Sequence, residues 1–287
     1  MRIMFIDKPR QEPRSTVSLV ILSSIWLASL GNLALWQSFF AAPEISGWRG
    51  LLFGLAFGIV IASLIAALLA IFAWRFTLKP AITVLLLLAA FASYYMLMYG
   101  VVVNSSMVQN VFQTDYREAR DQLSWQLAMT VLVLAVLPSF WIWKQVVLET
   151  SMAKQLLRNI GLFLTSMLLA LGTLQLVFHD FASLMKSHTE MRFQINPLNS
   201  VYGVLRLTVF PSKVDLGPIQ PIGTDAQIKH SNGSQAVMPP MLILVLGETA
   251  RSQNFSLNGY ERLTNPLLAK EHIASFRNVT SCGTSTA

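Results

Sequence analysis

Residues 51–74 read LLFGLAFGIVIASLIAALLAIFAW, without one Asp, Glu, Lys, Arg or His. A helix needs about 20 predominantly apolar residues to cross the roughly 30 Å hydrocarbon core of a bilayer, and this run is long enough. Four more stretches have the same character: Thr16 to Phe40, Ala81 to Val103, Gln126 to Trp143 and Ile160 to Phe178. The first is too long for the apolar region of a cleavable leader, which runs about 7–15 residues, so it reads as an anchor. Pro138 in the fourth run predicts a kinked helix, tolerated where neighbouring groups satisfy the carbonyl it frees. Trp48, Trp74, Trp125, Trp141 and Trp143 fall near span ends, where amphipathic rings favour the headgroup region.

Composition agrees. Of 287 residues, 54% are hydrophobic and 12% are charged, and the mean hydropathy is +0.54. An ordinary soluble domain carries about 25% charged residues, and a disordered chain lacks this much apolar surface. The net charge of +7 needs no nucleic-acid partner, because membrane topology concentrates cations in particular loops. With the N-terminus inside, the inner segments hold Arg2, Lys8, Arg10, Arg14, Arg75, Lys79, Lys144, Lys154 and Arg158, and the outer ones only Arg49, Arg117 and Arg120. Five spans then put everything after Phe178 outside, which in a bacterium is the periplasm. Transporters and proton relays usually bury ionisable groups within the membrane. These spans hold none, so they read as anchor and platform, not as a channel or pump.

Two extramembrane segments carry potential chemistry. In Asn104 to Trp125, the apolar residues Met107, Val108, Val111 and Phe112 fit a surface helix over about 105–122 at the outer face. On such a helix Asn110, Thr114 and Glu118 stand at i, i+4 and i+8, on one side. The plain reading is a solvated face. The sharper one is a polar triplet able to bind an amine and a phosphate, with Glu118 as countercharge. Residues 179–240, broken by Pro197, Pro211, Pro218 and Pro221 and by Ser231-Asn232-Gly233-Ser234, read as a bridging linker that leaves room for a short amphipathic piece over 201–209. Residues 241–246, MLILVL, sit between Pro239-Pro240 and Gly247, as expected of a buried strand in an α/β sheet. Glu248 directly follows. Ligands of such sheets lie beyond the strand ends, so Glu248 is placed either to bind a metal or to cap the next helix. The final Thr280 to Ala287 is rich in hydroxyls, as loops and caps are.

Together these residues resemble the bacterial phosphoethanolamine transferases, the membrane family that decorates lipid A and includes the mobile colistin-resistance enzymes. Gly247-Glu248-Thr249-Ala250-Arg251, Asn258-Gly259-Tyr260-Glu261-Arg262, Thr264-Asn265-Pro266 and Thr280 to Ala287 carry the likeness in the C-terminal part. Ser93-Tyr94-Tyr95-Met96, Tyr99-Gly100 and Met107-Val108-Gln109-Asn110 carry it in the membrane part. The resemblance implies a fold in two pieces: an α-helical polytopic membrane domain of five transmembrane helices over 1–178, then, over 241–287, the start of an α/β alkaline-phosphatase/sulfatase-like periplasmic domain. It also implies zinc, Glu248 as a metal ligand, Thr286 as nucleophile and metal ligand, and Asn110, Thr114 and Glu118 as the holders of the donor headgroup. Cys282 matches a cysteine whose disulfide partner lies beyond the nucleophile. The implied reaction moves phosphoethanolamine from phosphatidylethanolamine to a lipid A phosphate through a phosphoethanolamine–threonine intermediate, and confers polymyxin resistance. A monomer in the inner membrane, with membrane lipids as its surroundings, is expected.

The chain stops one residue after the matched nucleophile. A carboxylate and a hydroxyl cannot complete a tetrahedral zinc site, and His179, His188, His230 and His272 show no ligand spacing. The 287 residues alone are therefore expected to be inert, with a poorly packed C-terminal stretch. A sulfatase reading fails because Thr284 and Thr286 stand after Cys282 where a Pro and an Arg belong. Transfer to a core sugar or periplasmic glucan, and a non-catalytic lipid-binding module, remain open.

Overall fold

The computed structural model describes residues 13–209, 224–225, 243–245, 247 and 251–277. The chain divides into two compact units, Met1–Lys213 and Val214–Ala287.

Five helices of the first unit are long and apolar enough to span a membrane: Thr16–Ala41, Gly47–Ile71, Leu78–Tyr99, Trp125–Lys144 and Met152–Leu176. The first comprises α1 (Thr16–Ser29) and α2 (Leu33–Ala41), joined by one 3-10 turn over Leu30–Asn32. Side chains satisfy the backbone at this break. Ser93 donates to the Gly31 carbonyl at 2.8 Å, and the Asn32 amide donates to the carbonyls of Leu27 at 2.7 Å and Asn196 at 2.6 Å. The Asn196 N–H returns a bond to Asn32 Oδ1 at 2.7 Å. An unsatisfied polar group in hydrocarbon costs several kcal/mol, so these bonds make the interruption tenable.

The second and third spans are α3 (Gly47–Ile71) and α4 (Leu78–Tyr99), followed by two short helices, α5 (Ser105–Gln113) and α6 (Tyr116–Asp121). The fourth span is α7 (Trp125–Val131), a π-helical turn over Leu132–Val136, and α8 (Leu137–Lys144). Pro138 explains the turn. It has no N–H for the Leu134 carbonyl one turn back, so the Leu137 N–H bonds instead to Leu132, five residues behind. Trp26 Nε1 reaches across from α1 to donate to Leu134 at 3.2 Å. The expected kink is thus spread over a π-turn, with a neighbouring helix supplying the missing donor.

The fifth span, α9 (Met152–Leu176), begins eight residues before the apolar run at Ile160. Its extra turns hold Gln155, buried where α1 and α3 meet. Gln155 Nε2 donates to the Ala73 carbonyl at 2.7 Å and to Thr16 at 3.0 Å, and Thr150 donates to Gln155 Oε1 at 2.7 Å. The core lies between α1, α2, α3 and α4, with Leu19, Phe39, Ile61, Ile65, Ile82 and Leu86 fully or almost fully buried. The outward side of α9 presents Leu157, Leu168 and Leu176, all more than two-thirds exposed. In water such a face is a liability; in a bilayer it is the expected lipid contact.

Residues 179–209 correct the linker expectation. They belong to the first unit and hold most of α10 (Phe178–Ser187), a 3-10 turn over Met191–Gln194 and α11 (Leu198–Val209). Leu184, Met191 and Asn196 are buried against the bundle. Pro197 sits just before α11, compatible with a helix start. His188 lies between Glu44 at 3.3 Å and Glu190 at 3.5 Å. The Glu44 carboxyl is held below the usual glutamate range by the Glu44 backbone N–H first and by His188 second.

In the second unit, residues 251–277 form three 3-10 turns, Ser252–Asn254, Ser256–Asn258 and Leu268–Lys270, with no buried residue in any of them. Ile243, Leu244 and Val245 are not in a strand and are more than two-thirds exposed. The strand expected over 241–246 is therefore absent from the described part of that run. A strand exists only by pairing, and the described residues of this unit offer it no neighbour.

Candidate functional site

At the end of the bundle where α4 finishes, three tyrosines gather: the Tyr94 and Tyr95 rings are 5.2 Å apart, and Tyr99 lies 5.9 Å from Tyr95. Tyr94 and Ser124 hydroxyls share a 2.6 Å bond, and Tyr95 donates to Gln122 at 3.1 Å. These bonds fix the return of the α5–α6 excursion to the start of α7, where Ser124 caps the helix by accepting from Leu127 N–H at 3.1 Å. Gly100, at φ +65°, ends α4 in the left-handed conformation that glycine adopts without a Cβ penalty.

Asn104 then starts α5, its Oδ1 accepting from the Met107 N–H at 2.8 Å and from Ser106 at 2.7 Å. The apolar side of α5 is pinned by α11. Val108 is buried, and a Cβ placed on Gly203 would stand 2.8 Å from its Cγ2. Only a residue without a side chain permits this approach, so Gly203 sets the height of α5.

The polar triplet departs from its expected geometry. The i, i+4, i+8 spacing assumed one continuous helix, but α5 ends at Gln113 and Thr114 is extended at ψ 128°. Asp115 causes the break: its carboxylate accepts from the Arg117 N–H at 2.6 Å and its carbonyl accepts from the Ala119 N–H at 3.0 Å, which starts α6. Asn110 and Thr114 stay together, since the Thr114 hydroxyl and N–H both donate to the Asn110 carbonyl, at 2.8 and 2.9 Å. Asn110 is exposed and Thr114 half-buried. Glu118 lies in the next helix, and its side chain is outside the described residues. The Thr114 oxygen keeps lone pairs able to accept from an ammonium, and the Asn110 amide can both donate and accept. That is suitable chemistry for a zwitterionic headgroup.

Glu248, Cys282 and Thr286 lie outside the described residues. Among the described residues no cluster of three His, Cys, Asp or Glu side chains could hold a metal. The motif residues between Glu248 and Cys282 that the structure describes fasten turns. Thr264 accepts from the Ser256 N–H at 3.0 Å and donates to the Asn254 carbonyl at 2.6 Å, Asn265 N–H donates to Ser256 at 3.1 Å, and Asn258 donates to Ser252 at 2.8 Å. Gly259 turns the chain at φ +102°. The Asn258-Gly259 and Thr264-Asn265 pairs are thus turn fasteners. Sequence reasoning also missed Asn32, Ser124, Asn196 and Gly203. A polar Asn32 inside an apolar span was the one readable signal among them.

Comparison with known proteins fits this arrangement. The family model described as phosphoethanolamine transferase EptA/EptB matches residues 61–209, and the sulfatase model matches residues 240–287. Phosphatidylethanolamine transferase Mcr-1 of Escherichia coli is 36% identical over 216 residues, covering 75% of this chain and 40% of that protein. Mcr-2, also from Escherichia coli, is 32% identical over 267 residues, covering 93% and 49%. The chain thus spans half or less of the length of these relatives. Among solved structures, the integral membrane lipooligosaccharide phosphoethanolamine transferase A (EptA) of Neisseria meningitidis superposes with a TM-score of 0.77 at 26% identity, over 96% of this chain and 51% of that one. The first model alone spans just over half of the 287 residues, across the helices that carry the tyrosine cluster, α5 and α11. The chain belongs to the lipid A phosphoethanolamine transferase family.

Proposed function

We propose that this chain works in transferring phosphoethanolamine from phosphatidylethanolamine to a lipid A phosphate in the bacterial inner membrane, which lowers the negative charge that polymyxins recognise. The observation that carries this reading is the family match over the bundle, continued by Gly247–Arg251 and Cys282–Thr286 in the sulfatase-like stretch. Asn110, Thr114 and Glu118 hold the headgroup: Glu118 supplies the countercharge to its ammonium, from which the Thr114 oxygen can also accept, while the Asn110 amide donates to its phosphate. The cation bias of the loops favours a cytoplasmic N-terminus, with the C-terminal unit in the periplasm.

In the first half-reaction the Thr286 oxygen forms a bond to phosphorus, and the bond from phosphorus to the diacylglycerol oxygen breaks. The departing oxygen takes up the proton that Thr286 gives up. In the second, an oxygen of a monoprotonated lipid A phosphate forms the bond to phosphorus, the bond from phosphorus to the Thr286 oxygen breaks, and Thr286 takes up the proton that the attacking phosphate gives up. Splitting the transfer lets two bulky lipids use one site in turn. A membrane-anchored site keeps both lipids on its own surface, which reduces the entropy lost on encounter.

A threonine hydroxyl is a weak nucleophile at neutral pH. Zinc, when bound, supplies positive charge that stabilises its alkoxide and polarises the phosphoryl oxygen. Glu248 and Thr286 suit it in kind, as oxygen donors, but supply two ligands where a tetrahedral site needs about four. Turnover therefore requires further metal ligands.

The test is the mass of lipid A from bacteria expressing the protein from its own gene. An added phosphoethanolamine unit that Thr286→Ala abolishes supports the reading. An unchanged addition by Thr286→Ala overturns the nucleophile assignment. Addition to a core sugar or a glucan would move the acceptor away from lipid A.

A further inference from the structure

At the end of the bundle away from the tyrosine cluster lies a cleft of about 730 Å³, between the α3–α4 turn and the α8–α9 connection. Its walls include Arg75, Lys79, Lys144 and Glu149, three cations against one carboxylate. Glu149 is taken by Arg75, at 2.5 Å. Among the described residues Lys79 and Lys144 have no carboxylate within ion-pair distance. The cleft therefore keeps two positive charges that nothing described neutralises.

Its walls are fixed. Lys79 donates to the carbonyls of Trp143 at 3.2 Å and Gln145 at 2.7 Å, and Trp143 Nε1 donates to Thr83 at 3.0 Å. Arg14 and Val147 pair as an isolated β-bridge, with N–H to carbonyl distances of 2.8 and 3.0 Å. One ammonium proton of Lys79 remains for a ligand, since the group has three donors. Lys144 is exposed, and its ammonium lies 4.2 Å from the centre of the Phe140 ring.

The surroundings select the ligand class. The cleft opens where three spans end, at Ile71, Leu78 and Lys144, hence at headgroup depth. Exposed Phe76, Phe140 and Trp143 flank the cations, so apolar surface adjoins positive charge. A soluble anion has no use for such a rim, whereas a phospholipid places its acyl chains on it while its phosphate meets the cations. Basic pockets between transmembrane helices recognise anionic headgroups in this way. We propose that this cleft is a binding site for an anionic glycerophospholipid, with the phosphate at Lys79 and Lys144, beside the Arg75–Glu149 pair. It is separate from the donor site and does not depend on the transfer reaction.

Native mass spectrometry of the detergent-solubilised full chain tests the proposal, with phosphatidylglycerol, phosphatidylcholine and inorganic phosphate as probes. The expected result is one saturable phosphatidylglycerol, with weaker phosphatidylcholine binding. Arg75→Gln with Lys144→Gln should weaken phosphatidylglycerol about 25-fold, roughly fivefold for each unit of positive charge lost near a headgroup, Arg75→Gln acting by leaving Glu149 unpaired. Lys144→Arg should keep the affinity, and circular dichroism should show equal helix content in every variant. Undiminished phosphatidylglycerol binding by the double variant would overturn the proposal, as would equal binding of phosphatidylcholine. Displacement of the lipid by millimolar inorganic phosphate would reassign the cleft to free anions.

Discussion

The bond from Trp26 to the Leu134 carbonyl is the most exacting feature of the bundle, because it explains how a proline sits within a membrane span. In Trp26→Phe the ring stays apolar but the donor is gone, and the Leu134 carbonyl is left in hydrocarbon with no N–H at position 138. An unsatisfied buried acceptor costs about 1–3 kcal/mol, while hydrogen bonds between transmembrane helices average about 0.6 and reach about 1.7 kcal/mol. The overlap predicts a coupling of about 1–1.7 kcal/mol, a factor of roughly 5–20 in the folding constant. Pro138→Ala supplies the comparison, since residue 138 then has an N–H for Leu134. Reversible unfolding in mixed micelles, titrated with SDS, gives the four free energies of the cycle. Trp26→Phe should cost distinctly more with Pro138 in place than in the Pro138→Ala background, the lost ring packing being common to both. Equal costs would mean that the π-turn satisfies its own carbonyls and that the indole bond is incidental.

Gly203→Ala should destabilise the first unit by about 1–3 kcal/mol through overpacking, because its Cβ would stand 2.8 Å from Val108 Cγ2. Val108→Ala should recover much of that loss in the same unfolding assay. Asn32→Leu removes three bonds at once, orphaning the Leu27 and Asn196 carbonyls and the Asn196 N–H; a loss of about 3 kcal/mol or more is expected at the α1–α2 break. Glu44 has a lowered pKa in the folded chain, so its stabilisation is complete above the unfolded glutamate value and is lost as pH falls through the folded one. Glu44→Gln should flatten the acid side of the stability profile, and an unchanged profile would remove Glu44 from the account.

The five spans were legible because length and apolarity suffice to identify a membrane helix. Their ends were less so. The helix of the fifth span starts at Met152, although Lys154 and Arg158 lie within it. Backbone hydrogen bonding does not stop where the hydrocarbon does, and the buried Gln155 makes the extra turns part of the packing. The proline effect was readable, but its remedy was not, since Trp26 and Leu134 meet only through the third dimension. Residues 179–240 read as a bridge with room for an amphipathic piece over 201–209; α11 covers that piece, while the polar positions around it obscure α10. Once folded, Met191 and Leu184 are covered by the bundle. The spacing of Asn110, Thr114 and Glu118 misled for the opposite reason: a regular i+4 pattern was read through Asp115, a residue that caps a new helix. Residues 243–245 look like a strand, yet strand character depends on neighbours that no local pattern supplies.

The central claim is that Thr286 carries the headgroup, and trapping it there is the most direct test. Bacteria expressing the protein from its own gene would be supplied with phosphatidylethanolamine labelled in its ethanolamine, and the purified protein digested and sequenced by mass spectrometry. The account predicts labelled phosphoethanolamine on the peptide containing Thr286, and none in Thr286→Ala. Label on another residue, or labelled lipid A formed by Thr286→Ala, would contradict it.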